Sequence, residues 1–327
     1  MQDALALAQN NLLSPMVLFF ALGFLAAAAK SDLVFPEAVA KALSLYLLIA
    51  IGFKGGVIVA ERGVDTTMAM AITAGFLLSA VIPFIAYAIL SRISTLPRID
   101  VAAVAAHYGS ISIVTFVAST SALDALGIKY EGYLVAVAAI MESPAIIAAL
   151  LLSRGEREAS DPGQSDGLMR EVLLNGSILV LTGAFVIGWI TGPAGFEQID
   201  SFIVDPFKGV LCLFLLDMGL IGGRGIQRSA KELRPPVILF GLFMPLIGAS
   251  IALAGALAIG LDAGSAALLM TLAGSASYIA VPAAMRVALP EARPSIYLTL
   301  SLGITFPFNL IVGIPTYIWA ANAMIGV

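Results

Sequence analysis

The polar and apolar positions of this chain fall into long blocks. Residues 4–29, 66–91, 101–123, 172–196, 235–261, 263–285 and 294–327 each contain no Asp, Glu, Lys or Arg. Every block exceeds the roughly 20 apolar residues that carry a helix across a bilayer core. Without water to satisfy backbone groups, such segments must be helices and not open strands. The in-out alternation of a membrane barrel is absent. The pattern predicts an all-α polytopic membrane protein with ten spans, at roughly 12–30, 36–60, 66–91, 101–123, 132–153, 172–192, 207–227, 235–260, 264–289 and 295–323. Asp217 and Arg224 interrupt the apolar run of the seventh. The first block opens on Asp3 without a basic n-region and is too long for a cleavable signal, so a retained helix is expected.

Composition agrees with this pattern. Of 327 residues, 60% are hydrophobic and 12% charged, about half the charge that a soluble domain carries. Threading the 17 Lys and Arg residues onto ten spans places twelve on one side, three on the other and two, Lys41 and Lys54, within a span. By the positive-inside rule the twelve face the cytoplasm. Both termini are then expected in the periplasm of a bacterial inner membrane. The hydrophilic segment 154–170 is expected to be a cytoplasmic linker, dividing the chain into five-helix repeats at 1–153 and 171–327. An odd number of spans per half forces the two halves to insert in opposite directions.

The halves share short motifs. Ile51-Gly52-Phe53-Lys54-Gly55-Gly56 is answered 167 residues later by Met218-Gly219-Leu220-Ile221-Gly222-Gly223. Gly109-Ser110-Ile111-Ser112 is answered 165 residues later by Gly274-Ser275-Ala276-Ser277, and Pro144 by Pro307 after 163. Three ordered matches at nearly one offset argue for duplication. In transporters built from inverted repeats, substrate sites lie near the midplane where interrupted helices meet. Both Gly-Ser motifs fall mid-span, and a half-helix that starts there aims backbone N–H groups and a positive dipole end at the centre, which suits a small anion. Close packing of small residues is the competing reading.

Intramembrane polar residues supply the remaining candidates. Glu142 is costly to bury unless it is paired, protonated or ion-bound. With Ser143 and the backbone carbonyl that Pro144 leaves without a partner, it makes a hard-oxygen setting for a small cation. Thr305, Pro307 and Asn309 give the tenth span a related, uncharged set. An ion pair is expected between Lys54 and Asp217, and Arg286 and Arg293 are expected to snorkel at the cytoplasmic boundary. His107, the single histidine, is expected to be a satisfied hydrogen-bonding residue. With one histidine and one cysteine, Cys212, the chain offers no multi-histidine metal motif, His-based triad or intrachain disulfide. No resident cofactor, enzymatic activity or nucleic-acid partner is expected.

The strings AAHYGSISIVTFVASTSAL (105–123), YEGYLVAVAAIMESPAIIAALLL (130–152), ASYIAVPAAMR (276–286) and GITFPFNLIVGIP (303–315) resemble the sodium-dependent bicarbonate transporter family, the SbtA-like permeases. The resemblance spans essentially the whole chain. It implies five-plus-five inverted repeats arranged as core and gate domains, a homotrimer, a cytoplasmic PII-like regulator, and uptake of bicarbonate with sodium as coupling ion. It assigns Gly109, Ser110, Ser112, Thr115, Gly274, Ser275 and Ser277 to the substrate, and Glu142 to a carboxylate position of the family. Ser143, Thr305 and Asn309 complete the expected ion-binding set. Tyr278 departs from the pattern, standing where cyanobacterial members carry an Asp, and the 154–170 linker is shorter than theirs. The readings carried forward are sodium-coupled import of bicarbonate or a similar monoanion, sodium symport of a small organic carboxylate, and a membrane anion sensor that does not transport.

Overall fold

A computed structural model describes residues 14–63, 65–153, 176–229, 233–278, 281, 282, 285 and 289–326. The expected 154–170 linker, Arg286 and the side chain of Ser143 lie outside the described residues. Among those described, helices dominate and no strand occurs.

The helices are α1 (Pro15–Ala28), α2 (Glu37–Arg62), α3 (Thr66–Ile93), α4 (Arg98–Gly109), α5 (Ile113–Leu126), α6 (Leu134–Ile140) and α7 (Glu142–Ser153) in the first half. The second half holds α8 (Gly176–Ile203), α9 (Phe207–Ser229), α10 (Pro235–Ile259), α11 (Ala263–Ala273) and α12 (Pro294–Ile325). Among the described residues, seven helices, with α4 and α5 counted as one, are long and apolar enough to cross a membrane. Three shorter apolar helices, Pro15–Ala28, Leu134–Ala149 and Ala263–Ala273, cover parts of the remaining expected spans.

Helix ends follow local chemistry. Asp65 caps α3 by accepting from the Met68 N–H at 2.8 Å, and Asp262 caps α11 through Ser265 N–H at 2.9 Å. Gly127 and Gly260 close α5 and α10 in the left-handed conformation, at φ 67° and 79°.

Two expected spans keep their bounds. α9 runs unbroken from Phe207 to Ser229 and carries Asp217 and Arg224 within it. The sixth breaks at its expected end, where Gly192 turns the backbone at φ 57° and ψ −154° and Pro193 starts a second helical stretch that continues to Ile203.

The packing pairs each half with the other. α1 lies on α9 and α2 lies on α8, so the first helix of each half rests on the second helix of its counterpart. Glycines make both crossings close. A β-carbon on Gly23 of α1 would collide with the Leu216 carbonyl, and one on Gly219 with the Phe20 carbonyl. At the other crossing, β-carbons on Gly56 and Gly188 would collide with the Phe185 and Phe53 carbonyls. Gly23 and Gly188 are 165 residues apart, and Gly52 and Gly219 are 167 apart, the spacing of the motif pairs. Inside this frame, α3 packs on α4, α7 and α10, while α11 packs on α10, α12 and α5. The α4–α5 pair is the most enclosed element, with 94% of its most apolar stretch buried, against 28% for α8.

Candidate functional site

Two helix breaks meet in the buried interior. The first separates α4 from α5. Ser110 is extended at φ −87° and ψ −175°, and Ser112 takes the N-cap geometry that starts α5. The Ser112 hydroxyl accepts from the Thr115 N–H at 3.2 Å and from its hydroxyl at 2.8 Å. The second break follows α11, where Gly274 ends the helix and the chain is non-helical through Ser277. The Ser277 hydroxyl then accepts from the Val281 N–H at 3.4 Å.

The breaks are tied to each other. Ser112 N–H donates to the Ser275 hydroxyl at 2.8 Å, and Ser277 N–H donates to the His107 carbonyl at 2.7 Å. The Ser275 hydroxyl in turn donates to the Leu272 carbonyl at 2.8 Å. Ser119 of α5 and Thr271 of α11 are 3.0 Å apart. Thr271 donates to the Ala267 carbonyl, so Ser119 supplies the proton between them. One half-helix, α5, therefore starts at the crossing with a serine of the first motif as its cap, and α11 ends there at the second motif.

Glu142 reaches the first break from the fifth span. That span is itself interrupted between α6 and α7, and Pro144 has no N–H to offer the Ile140 carbonyl. The Met141 carbonyl accepts from the Ser79 hydroxyl of α3, and the Ser110 hydroxyl donates to Glu142 Oε2, each at 2.5 Å. In the tenth span, Pro307 lies between two π-helical stretches, Thr299–Thr305 and Asn309–Gly313, the kind of irregularity found at functional positions. Thr305 donates to the Gly241 carbonyl at 2.8 Å, so the Tyr108 hydroxyl, 2.5 Å away, is the donor to Thr305. Asn309 donates to the Gly274 carbonyl and accepts from the Tyr317 hydroxyl, both at 2.8 Å.

The sequence-derived substrate residues Gly109, Ser110, Ser112, Thr115, Gly274, Ser275 and Ser277 are thus all buried at one crossing. The ion-binding set divides. Glu142 joins the first break, whereas Thr305 and Asn309 brace α4 and the second break, and no hydrogen bond links Glu142 to either of them among the described residues.

Four polar side chains differ from expectation. Lys54 and Asp217 form no ion pair among the described residues. Lys54 instead lines a cavity of about 40 Å³ with Asp124, Tyr130 and Glu131, where burial and the Asp124 carboxylate push the Tyr130 phenol up. Asp217 is buried, and the cation acting on it is Arg224, two turns further along α9. Arg293 does not simply snorkel. Its backbone N–H donates to Asp100 Oδ1 at 2.8 Å, and its guanidinium to Asp100 Oδ2 at 2.9 and 2.7 Å. His107 is half-satisfied: Nδ1 lies 2.6 Å from the Ala103 carbonyl and the ring stacks on Tyr297 at 4.4 Å, but Nε2 has no hydrogen-bond partner among the described residues. Sequence reasoning did not single out Asp100. Its position two residues inside α4 was visible, but its partner lies 193 residues away.

The family model of the Na+-dependent bicarbonate transporter superfamily matches residues 15–322, through both breaks and both proline-bearing spans. The chain belongs to this superfamily. No curated protein matches it. As a member of the Na+-dependent bicarbonate transporter superfamily, it is a multi-pass membrane transport protein.

Proposed function

We propose that this protein is a secondary active transporter that imports bicarbonate, or a similar small monoanion, coupled to sodium. It has ten spans in two inverted five-helix repeats and lies in the plasma membrane with both termini outside. The reciprocal seating of α1 on α9 and α8 on α2, through glycines at the motif spacing, supports the inverted repeat. The twelve-to-three split of basic residues supports the sidedness.

One observation carries the transport reading: the two repeated Gly-Ser breaks meet at a single buried crossing, cross-linked by Ser112 N–H to the Ser275 hydroxyl, where the serine-capped N-terminus of α5 starts. The partial positive end of α5 favours an anion there without a full cation to trap it. Hydroxyls and dipoles replace part of the hydration shell and still allow release. Ser110 and Glu142 form the adjoining oxygen-rich position suited to the coupling cation.

Labelled bicarbonate uptake into proteoliposomes tests the reading. Uptake is expected with an inward sodium gradient and is expected to fall to background without one. Ser112→Ala and Ser277→Ala are expected to abolish it in protein that still elutes as a single folded species. Wild-type uptake by both variants removes the crossing as the site. Stronger competition by small organic acids than by unlabelled bicarbonate reassigns the substrate.

A further inference from the structure

Tyr278 follows the second break, and the chemistry described so far does not use it. Its side chain is 8% exposed, and its ring meets Phe306 edge-on at 5.3 Å and 65°. Its hydroxyl lies within reach of Ser112, and no well-formed hydrogen bond holds it among the described residues. The other tyrosines of the interior differ. Tyr108 is bonded to Thr305, and Tyr317 to Asn309. Leaving a buried hydroxyl unpaired is unfavourable, so a poorly bonded hydroxyl at this crossing points to a partner that arrives from outside.

The neighbouring donors sharpen the point. The Ser112 hydroxyl accepts twice from Thr115, so its own proton is free to turn to the Tyr278 oxygen or to a ligand. At most one of the two adjoining protons is spent between them, so at least one donor remains at the N-terminus of α5. A cation would meet those protons and the positive end of the helix, whereas an oxyanion presents lone pairs to all of them. A phenol is neutral at physiological pH, so it donates without adding charge. The Phe306 contact holds its ring in place, which limits the ordering required when a ligand binds.

From this we infer that Tyr278 is a substrate-recognition residue: its phenolic O–H, together with the Ser112 O–H, donates to one oxygen of the transported small oxyanion. The inference rests on the transport reading above and adds a donor from the second half to the site.

Tyr278→Phe removes one oxygen and keeps the ring. In proteoliposomes it is expected to raise the KM for bicarbonate roughly tenfold, the loss of one hydrogen bond to a charged group, with maximal rate within about twofold of wild type. In detergent, the ligand-free variant is expected to melt no lower than wild type, because a buried unpaired hydroxyl has gone, while bicarbonate stabilises it less. A purely structural role would lower the ligand-free melting temperature instead, and that result overturns the inference. An unchanged KM beside active wild type and inactive Ser112→Ala overturns it alone. Absence of both uptake and bicarbonate-dependent stabilisation in wild type overturns the transport reading and this inference together.

Discussion

Asp100 shows how one residue becomes tolerable in an apolar interior. Its carboxylate is 2% exposed and receives three N–H bonds from Arg293, one from the backbone and two from the guanidinium. Arg293 is also the N-cap residue of α12, so the pair ties the start of the last span to the start of the first broken one. Arg293→Gln leaves a buried carboxylate without its cation and is expected to cost about 3 kcal/mol. Thermal unfolding in detergent checks this, and adding Asp100→Asn should restore part of the loss. A single variant that melts with wild type would show that the pair contributes nothing. Glu142 poses the same problem with a weaker answer, since its side-chain bond is with a neutral hydroxyl. Ser110→Ala is therefore expected to raise the sodium concentration needed for half-maximal uptake several-fold, provided Glu142 helps hold the coupling ion. An unchanged sodium dependence would remove Glu142 from that role.

At the scale of the element, four interior spans depart from regular helix: α4–α5, the fifth, the ninth and the tenth. Gly109-Ser110 and Gly274-Ser275 announced two of the departures in the sequence, because glycine and serine weaken helices. Pro144 marked the third. The π-helical stretches around Pro307 were not legible, because a π turn depends on how neighbouring helices compress the span and not on the residue types alone. The long outer helices obey a simpler rule, in which glycine sets how closely two backbones approach. Gly219→Leu is expected to drive α1 from α9 and to eliminate the folded peak in size-exclusion chromatography. Gly183→Leu on α8, where an added side chain meets open space, is expected to leave that peak unchanged. Equal behaviour of the two variants would refute the close crossing as a determinant of assembly.

At the scale of the whole molecule, the proposed orientation across the membrane rests on the basic residues. In a Cys212→Ser background, Thr95→Cys is expected to react with an impermeant thiol reagent only from the cytoplasmic side, and Ser201→Cys only from the outside. Labelling of both positions from one side would overturn the ten-span threading. The sequence by itself determined that the chain lives in a bilayer, that its helices are long and apolar, and that its halves share Gly-Ser and Gly-Gly motifs, because burial in lipid is a demand on composition and on unbroken runs. It could not determine which polar groups meet. Lys54 and Asp217 were natural partners by charge and depth, yet the fold turns Lys54 toward Asp124 and Glu131. Asp100 waited for Arg293, and Ser112 for Ser275 across 163 residues. Only the tertiary structure decided these pairings, since a hydrogen bond forms over about 3 Å and its partner is chosen by how helices distant in sequence are stacked, which no local run of residues encodes.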